Sequence, residues 1–185
     1  MFNFFKRTTL DPLSVTMVGV KLADRVLVVG CRDPRLIAAL AIKAGLTGRT
    51  CAVDRSESLV HEAERVTLAE GALVEFAAVP SPSLPYDSES FDVVVLRDVM
   101  RIADADASER LATGAESSRV LRPGGRCMVI DGLGPAKSWM FERRTPADPV
   151  AAQDLTAVLM SIGFVAVREL AERDGLLFLE AVKKA

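Results

Sequence analysis

Gly30-Cys31-Arg32-Asp33-Pro34 follows the aliphatic run Arg25–Val29, and Asp54 closes a second run, Arg49–Val53. A carboxylate at the tip of one parallel strand, beside a glycine turn at the tip of its neighbour, is placed to accept both hydrogen bonds of a ribose diol. The plainer reading gives Asp54 only to the helix behind it, as a cap ahead of Ser56 and Glu57. Arg97-Asp98 and Asp131 end two further aliphatic runs. Asp98 suits orienting or deprotonating an acceptor, Arg97 suits holding an anionic group, and Asp131 is similarly placed. A local ion pair or cap is the alternative for each. His61 lies among Glu62 and Glu64 and reads as a solvated helix face rather than a catalyst. Cys51 and Cys127 fall inside strands as small core residues. Cys31 sits in the first turn, where a thiol is reactive only if its pKa is lowered. Trp139, with Met140 and Phe141, suits a lid, a substrate wall or a protein contact, and Arg143-Arg144 beside them reads as a solvated edge.

The elements that must carry these residues alternate. Arg25–Gly30 is a short apolar run of the kind buried on both faces of a parallel sheet. Asp33 suits an N-cap, Pro34 the first helical position and Gly45 the stop of the helix between them. A strand over Arg49–Val53 precedes a helix from Ser56 to Glu70, closed by Gly71. A third strand is expected over Ala72–Ala77, then a proline-rich loop over Pro80–Pro85 and a fourth strand over Phe91–Leu96. A helix from Ala105 to Leu121 stops at Arg122-Pro123-Gly124-Gly125, and Arg126–Ile130 is a fifth strand. After a loop from Asp131 to Pro149 come a helix over Val150–Ile162, stopped by Gly163, and two apolar runs, Phe164–Leu170 and Leu176–Val182. Asp174-Gly175 between those runs signals a β-hairpin. The fold class is therefore α/β: a doubly wound, mostly parallel sheet ending in an antiparallel hairpin.

Composition narrows the function. The chain has 185 residues, 50% hydrophobic and 26% charged, which supplies a core and argues against disorder. We expect an N-terminal arm over residues 1–20 and one domain over 21–185. Lys and Arg number 23 against 25 Asp and Glu, a net charge of −2, so there is no bulk positive field for nucleic acid. One His and no C-x-x-C pair argue against a metal site, and three Cys against a disulfide framework. A cytoplasmic setting follows. No run reaches the roughly 20 apolar residues of a membrane-spanning helix. The apolar start, Met1 to Phe5, is too short for a signal-peptide core and reads as a packed or frayed terminus. Stable membrane insertion is not expected; a homo-oligomer is compatible with the sequence.

Four segments carry a resemblance. Arg25-Val-Leu-Val-Val-Gly-Cys31 is a strand leading into a turn, and Ala52-Val-Asp54-Arg-Ser56 is an acidic strand tip. Leu84-Pro-Tyr-Asp-Ser-Glu-Ser-Phe-Asp-Val-Val-Val95 leads into the fourth strand. Glu116-Ser-Ser-Arg-Val-Leu-Arg-Pro-Gly-Gly125, the most specific, leads into the fifth. In these the chain is similar to class I S-adenosylmethionine-dependent methyltransferases, particularly the small ubiquinone/menaquinone-biosynthesis type, over roughly residues 20 to 182. The resemblance implies a Rossmann-like methyltransferase fold, S-adenosylmethionine as cofactor and a small-molecule acceptor. It implies cofactor contacts at Gly30, Cys31, Arg32, Asp54, Arg55, Ala78, Val79 and Arg97, and acceptor contacts at Asp98, Asp131 and Trp139; it singles out no catalytic residue and no metal ligand. The chain departs from the family in two places. The family loop Gly-x-Gly-x-Gly has Arg32 and Pro34 in place of its later glycines, adding bulk and deleting an N–H. Arg32 either pairs with the ligand's carboxylate or fills the pocket. Ala77-Ala78-Val79-Pro80 also lacks the acid that family members often place beside the adenine amino group, leaving packing and backbone contacts to hold that ring. The alternative function is a methyltransferase-like domain that is catalytically silent and binds a partner. A nicotinamide dinucleotide site is disfavoured because G-x-G-x-x-G is absent after the first strand.

Overall fold

A computed structural model describes residues 12–79, 82–100, 107–132 and 152–185, the side chains of 152–154 excepted. Seven strands form one sheet: β1 (Arg25–Val29), β2 (Arg49–Asp54), β3 (Glu75–Ala78), β4 (Phe91–Arg97), β5 (Leu121–Gly132), β6 (Phe164–Arg173) and β7 (Leu176–Lys183). Their order is β3-β2-β1-β4-β5-β7-β6. β1 to β5 are parallel, and β7 runs antiparallel to both β5 and β6. The chain therefore builds outward from β1 in one direction and from β4 in the other. That reversal leaves a crevice where the two halves meet at the carboxyl ends of the strands.

Alternation along the central strands sorts side chains onto two faces. Val26 and Val28, Val93 and Val95, and Met128 and Ile130 pack on the face covered by α1 (Pro12–Val18), α2 (Pro34–Ala44) and α3 (Glu57–Ala69). Leu27, Val94, Leu96, Cys127 and Val129 point the other way, toward α4 (Ala107–Val120) and α5 (Ala152–Ser161). Both faces of β1, β4 and β5 are thus dry, which is why these strands read as unbroken apolar runs. On α2, Leu36, Ile37 and Leu40 are buried, each contributing about 1.5–3 kcal/mol. Asp33 caps that helix, its Oδ1 accepting from the Leu36 N–H at 3.2 Å, and Pro34 occupies the first position. Asp174 and Gly175 both have positive φ, 52° and 77°, as the two-residue turn between β6 and β7 requires.

Several boundaries are corrected. β3 starts at Glu75, not Ala72, because the Ala72 N–H is spent on the Thr67 carbonyl in closing α3. β5 starts at Leu121 rather than Arg126. Leu121 pairs with Phe91 and Arg126 with Val93, so the intervening Arg122-Pro123-Gly124-Gly125 bulges out of the ladder. It is held there by Arg122 on Asp92. β5 also runs on to Gly132, into the expected loop. Part of the expected N-terminal arm is α1, whose Val15 and Val18 are buried in the first core. No helix among the described residues is long and apolar enough to cross a membrane.

Candidate functional site

Gly30 ends β1 with φ +103°, donates its N–H to the Val53 carbonyl at 2.8 Å, and lies against the end of β4. A Cβ there would sit 2.1 Å from the Arg97 carbonyl oxygen, so only glycine lets the first turn leave the sheet at this point. The next N–H, of Cys31, donates to Asp54 Oδ2 at 2.7 Å. Asp54 Oδ1 accepts from the Ser56 N–H at 2.9 Å, and the Asp54 carbonyl accepts from Val79 at 2.8 Å. One residue thus ties together the loops that follow β1, β2 and β3. The cap of α3 is Ser56, not Asp54: its hydroxyl accepts from Leu59.

The loops after β4 and β5 are tied by two other carboxylates. Asp98 sits in the left-handed region, φ +53°. Its N–H donates to the Ile130 carbonyl at 3.0 Å and its Oδ1 accepts from the Gly132 N–H at 2.9 Å. Arg97 Nη1 lies 2.6 Å from the same Oδ1 and also donates to the Ile130 carbonyl. Arg97 Nε is buried, 3.8 Å from Asp33 Oδ2, and has no hydrogen-bond partner among the described residues. Asp131, 1% exposed, accepts from the Val99 and Met100 N–H groups at 3.2 and 3.0 Å.

Between these loop groups lies a cavity of about 300 Å³ bounded by Gly30, Asp54, Leu59, Val79, Asp98 and Thr113. That is the lower end of the roughly 300–1,000 Å³ usual for small-molecule sites. Arg32, Arg55 and Arg97 also line it. Arg55 forms an ion pair with Glu109 of α4, which links the β2 side of the opening to the α4 side. Cys31 and Ala78 are not in the wall: Cys31 is buried and contributes its N–H to Asp54, and Ala78 is exposed in register with Asp54. Asp131 lies behind the wall. Trp139, its neighbours Met140 and Phe141, and Arg143-Arg144 fall outside the described residues, as does part of the proline-rich loop. Glu109, Thr113 and Ser117, not among the residues expected from the sequence, line the cavity from one face of α4. Their spacing of four residues was the available signal.

Burial, reinforced by the Asp54 charge, pushes the Cys31 thiol up to about 12, so it stays protonated and unreactive. Burial does the same to Cys127, also to about 12, and raises Cys51. His61 is exposed, 3.7 Å from Glu57 and 3.9 Å from Glu64, on a solvated helix face. No cluster of metal-ligating side chains occurs among the described residues.

The donor set fits a nucleoside sugar. Each Asp54 oxygen accepts one N–H and keeps a second lone pair, so the carboxylate still accepts two hydrogen bonds from a diol. Gly30 presents no side chain beside it. The first turn of α2 is less generous, because Pro34 has no N–H, and Leu36 and Ile37 donate to Asp33.

A family model described as a methyltransferase domain matches residues 27–129. The ubiquinone/menaquinone biosynthesis C-methyltransferase UbiE of Cupriavidus taiwanensis is 27% identical over 118 residues, 64% of this chain and 47% of that protein. The chloroplastic 2-phytyl-1,4-beta-naphthoquinone methyltransferase of Arabidopsis thaliana is 31% identical over 123 residues, 64% of this chain and 46% of that one. The chain thus spans about half the length of these curated relatives. A crystal structure of a SAM-dependent methyltransferase from Aquifex aeolicus superposes with a TM-score of 0.75 at 21% identity, covering 94% of each chain. With the family model covering more than half of it, the chain belongs to the methyltransferase-domain family, the class I S-adenosylmethionine-dependent methyltransferases.

Proposed function

We propose that the protein transfers a methyl group from S-adenosylmethionine to a small-molecule acceptor. The observation that carries this reading is the cavity at the reversal of strand order, with the Asp54 carboxylate on its wall beside Gly30. Asp54 accepts the ribose hydroxyls. Cys31 serves from behind, its N–H fixing the rotamer of that carboxylate. Arg55 and Val79 flank the base, with packing and backbone contacts in place of an acid. Arg97, locked between Asp98, the Ile130 carbonyl and Asp33, forms the floor on the β4 side.

The cofactor supplies an electrophilic methyl when bound, so the chain's task is alignment. Asp98 is the residue for this. Its Oδ1 is held by Gly132 and Arg97, while its Oδ2 has no partner among the described residues and is available to orient an acceptor hydroxyl or N–H. A base is required only where the acceptor must lose a proton, and Asp98 is the carboxylate in position for that. The relatives' names, one referring to ubiquinone/menaquinone biosynthesis and one to a phytyl naphthoquinone, support a small organic acceptor. A cytoplasmic setting belongs to the same reading, in keeping with the three buried, unpaired cysteines.

Thermal unfolding with rising S-adenosylmethionine or S-adenosylhomocysteine tests the proposal. A ligand at a hundred times its dissociation constant stabilises the fold by about 2.7 kcal/mol, so the midpoint climbs with concentration. A midpoint that stays put at millimolar levels of both ligands overturns it.

A further inference from the structure

Much of the backbone of the first turn is already committed. A glycine-rich turn ordinarily meets an anionic ligand with free N–H groups at a helix N-terminus. Here the Gly30 N–H goes to Val53 and the Cys31 N–H to Asp54; Pro34 has none; and the Leu36 and Ile37 N–H groups both go to Asp33. The Asp33 carboxylate also places a negative charge at the start of α2, where an anion would otherwise be favoured.

The cationic side chains on the cavity wall point to the replacement. Arg55 is engaged by Glu109, and Arg97 by Asp98 with Asp33 beyond it. The third, Arg32, lines the cavity, is exposed, and has no hydrogen bond or ion pair among the described residues. Its guanidinium carries the fixed charge and forked donors that match a carboxylate. It sits two residues beyond Gly30, on the loop that Asp54 anchors, so Arg32 and Asp54 border one cavity.

We propose that Arg32 reads the carboxylate of the cofactor's amino-acid tail, supplying by side chain what these committed backbone positions do not. The inference rests on the methyl-transfer reading above and deepens it: the substitution of glycine by arginine is a change of binding mode, not a blockage. Because Arg32 is exposed, water and salt screen the pairing, and its contribution is modest.

The test is calorimetric titration of the full chain with two ligands that differ only in that group, S-adenosylmethionine and decarboxylated S-adenosylmethionine. The wild-type protein should prefer the carboxylate-bearing ligand, and Arg32→Gln should reduce that preference by roughly 1.5-fold to fivefold, the range of an exposed ion pair. Binding of decarboxylated S-adenosylmethionine should be unchanged in Arg32→Gln, which also shows that the variant is folded. Arg32→Lys should retain part of the preference, and added salt should lower it in the wild type. An equal preference in wild type and Arg32→Gln, or an equal loss of both ligands, overturns the assignment while leaving the cofactor reading intact. Failure of the wild type to bind either ligand overturns both.

Discussion

Asp54 and Asp131 occupy equivalent places in the two halves of the sheet. Each ends a parallel strand at its carboxyl tip, and each accepts two backbone N–H groups from the loops around it. They differ in what lies on the other side. Asp131 is 1% exposed, whereas Asp54 is partly exposed and borders the cavity. The same local chemistry thus yields a buried fastening in one half and a fastening with spare lone pairs facing a cavity in the other. Exposure, not residue type or strand position, separates the buried acid from the one that borders the cavity.

That contrast is open to being broken by substitution. Asp131→Ala should cost the most stability, about 3 kcal/mol, because it orphans the Val99 and Met100 N–H groups inside the protein. Denaturant unfolding checks this, and a loss under 1 kcal/mol would remove Asp131 from its fastening role. Asp54→Ala should cost less, about 1 kcal/mol, since water reaches the Cys31 and Ser56 N–H groups through the cavity. An equal loss at both positions would erase the distinction.

Asp92, at the opposite end of β4, sharpens the comparison further. Burial pushes its carboxyl up, but the Arg25 N–H and the guanidinium groups of Arg25 and Arg122 outweigh that and hold it below the usual carboxylate range. A depressed folded-state value means the contribution is present above the ordinary carboxylate pKa and is lost as pH falls through the folded value. Both arginines are more than 40% exposed, so the effect is small at neutral pH. Asp92→Asn should therefore flatten the acid limb of the stability–pH curve below about pH 4. An unchanged limb would assign acid sensitivity to other carboxylates.

Much of the scaffold was legible because its signals are local. Asp33-Pro34 before an apolar run specified the start of α2, and Asp174-Gly175 specified the hairpin turn. The start of β5 was not legible, because Leu121 joins the ladder by pairing with Phe91, a partner remote in sequence, while the next four residues bulge. Trimming β3 likewise depended on how α3 closes. At the site, Gly30 and Asp54 were found as strand tips. Asp98 and Asp131 gave the same strand-tip signature, and only the packing of the Val99–Met100 loop onto Asp131 separates them. Glu109, Thr113 and Ser117 carried a helical spacing, but nothing in the sequence says which face of α4 meets the cavity.

The central claim is that the Asp54 carboxylate receives a nucleoside sugar. Calorimetric titration of S-adenosylhomocysteine into the wild-type protein and into Asp54→Ala tests it most directly. The account predicts binding by the wild type and a loss of about 1–3 kcal/mol in the variant, the scale of charge-assisted hydrogen bonds. Equal affinity in the two proteins would contradict it.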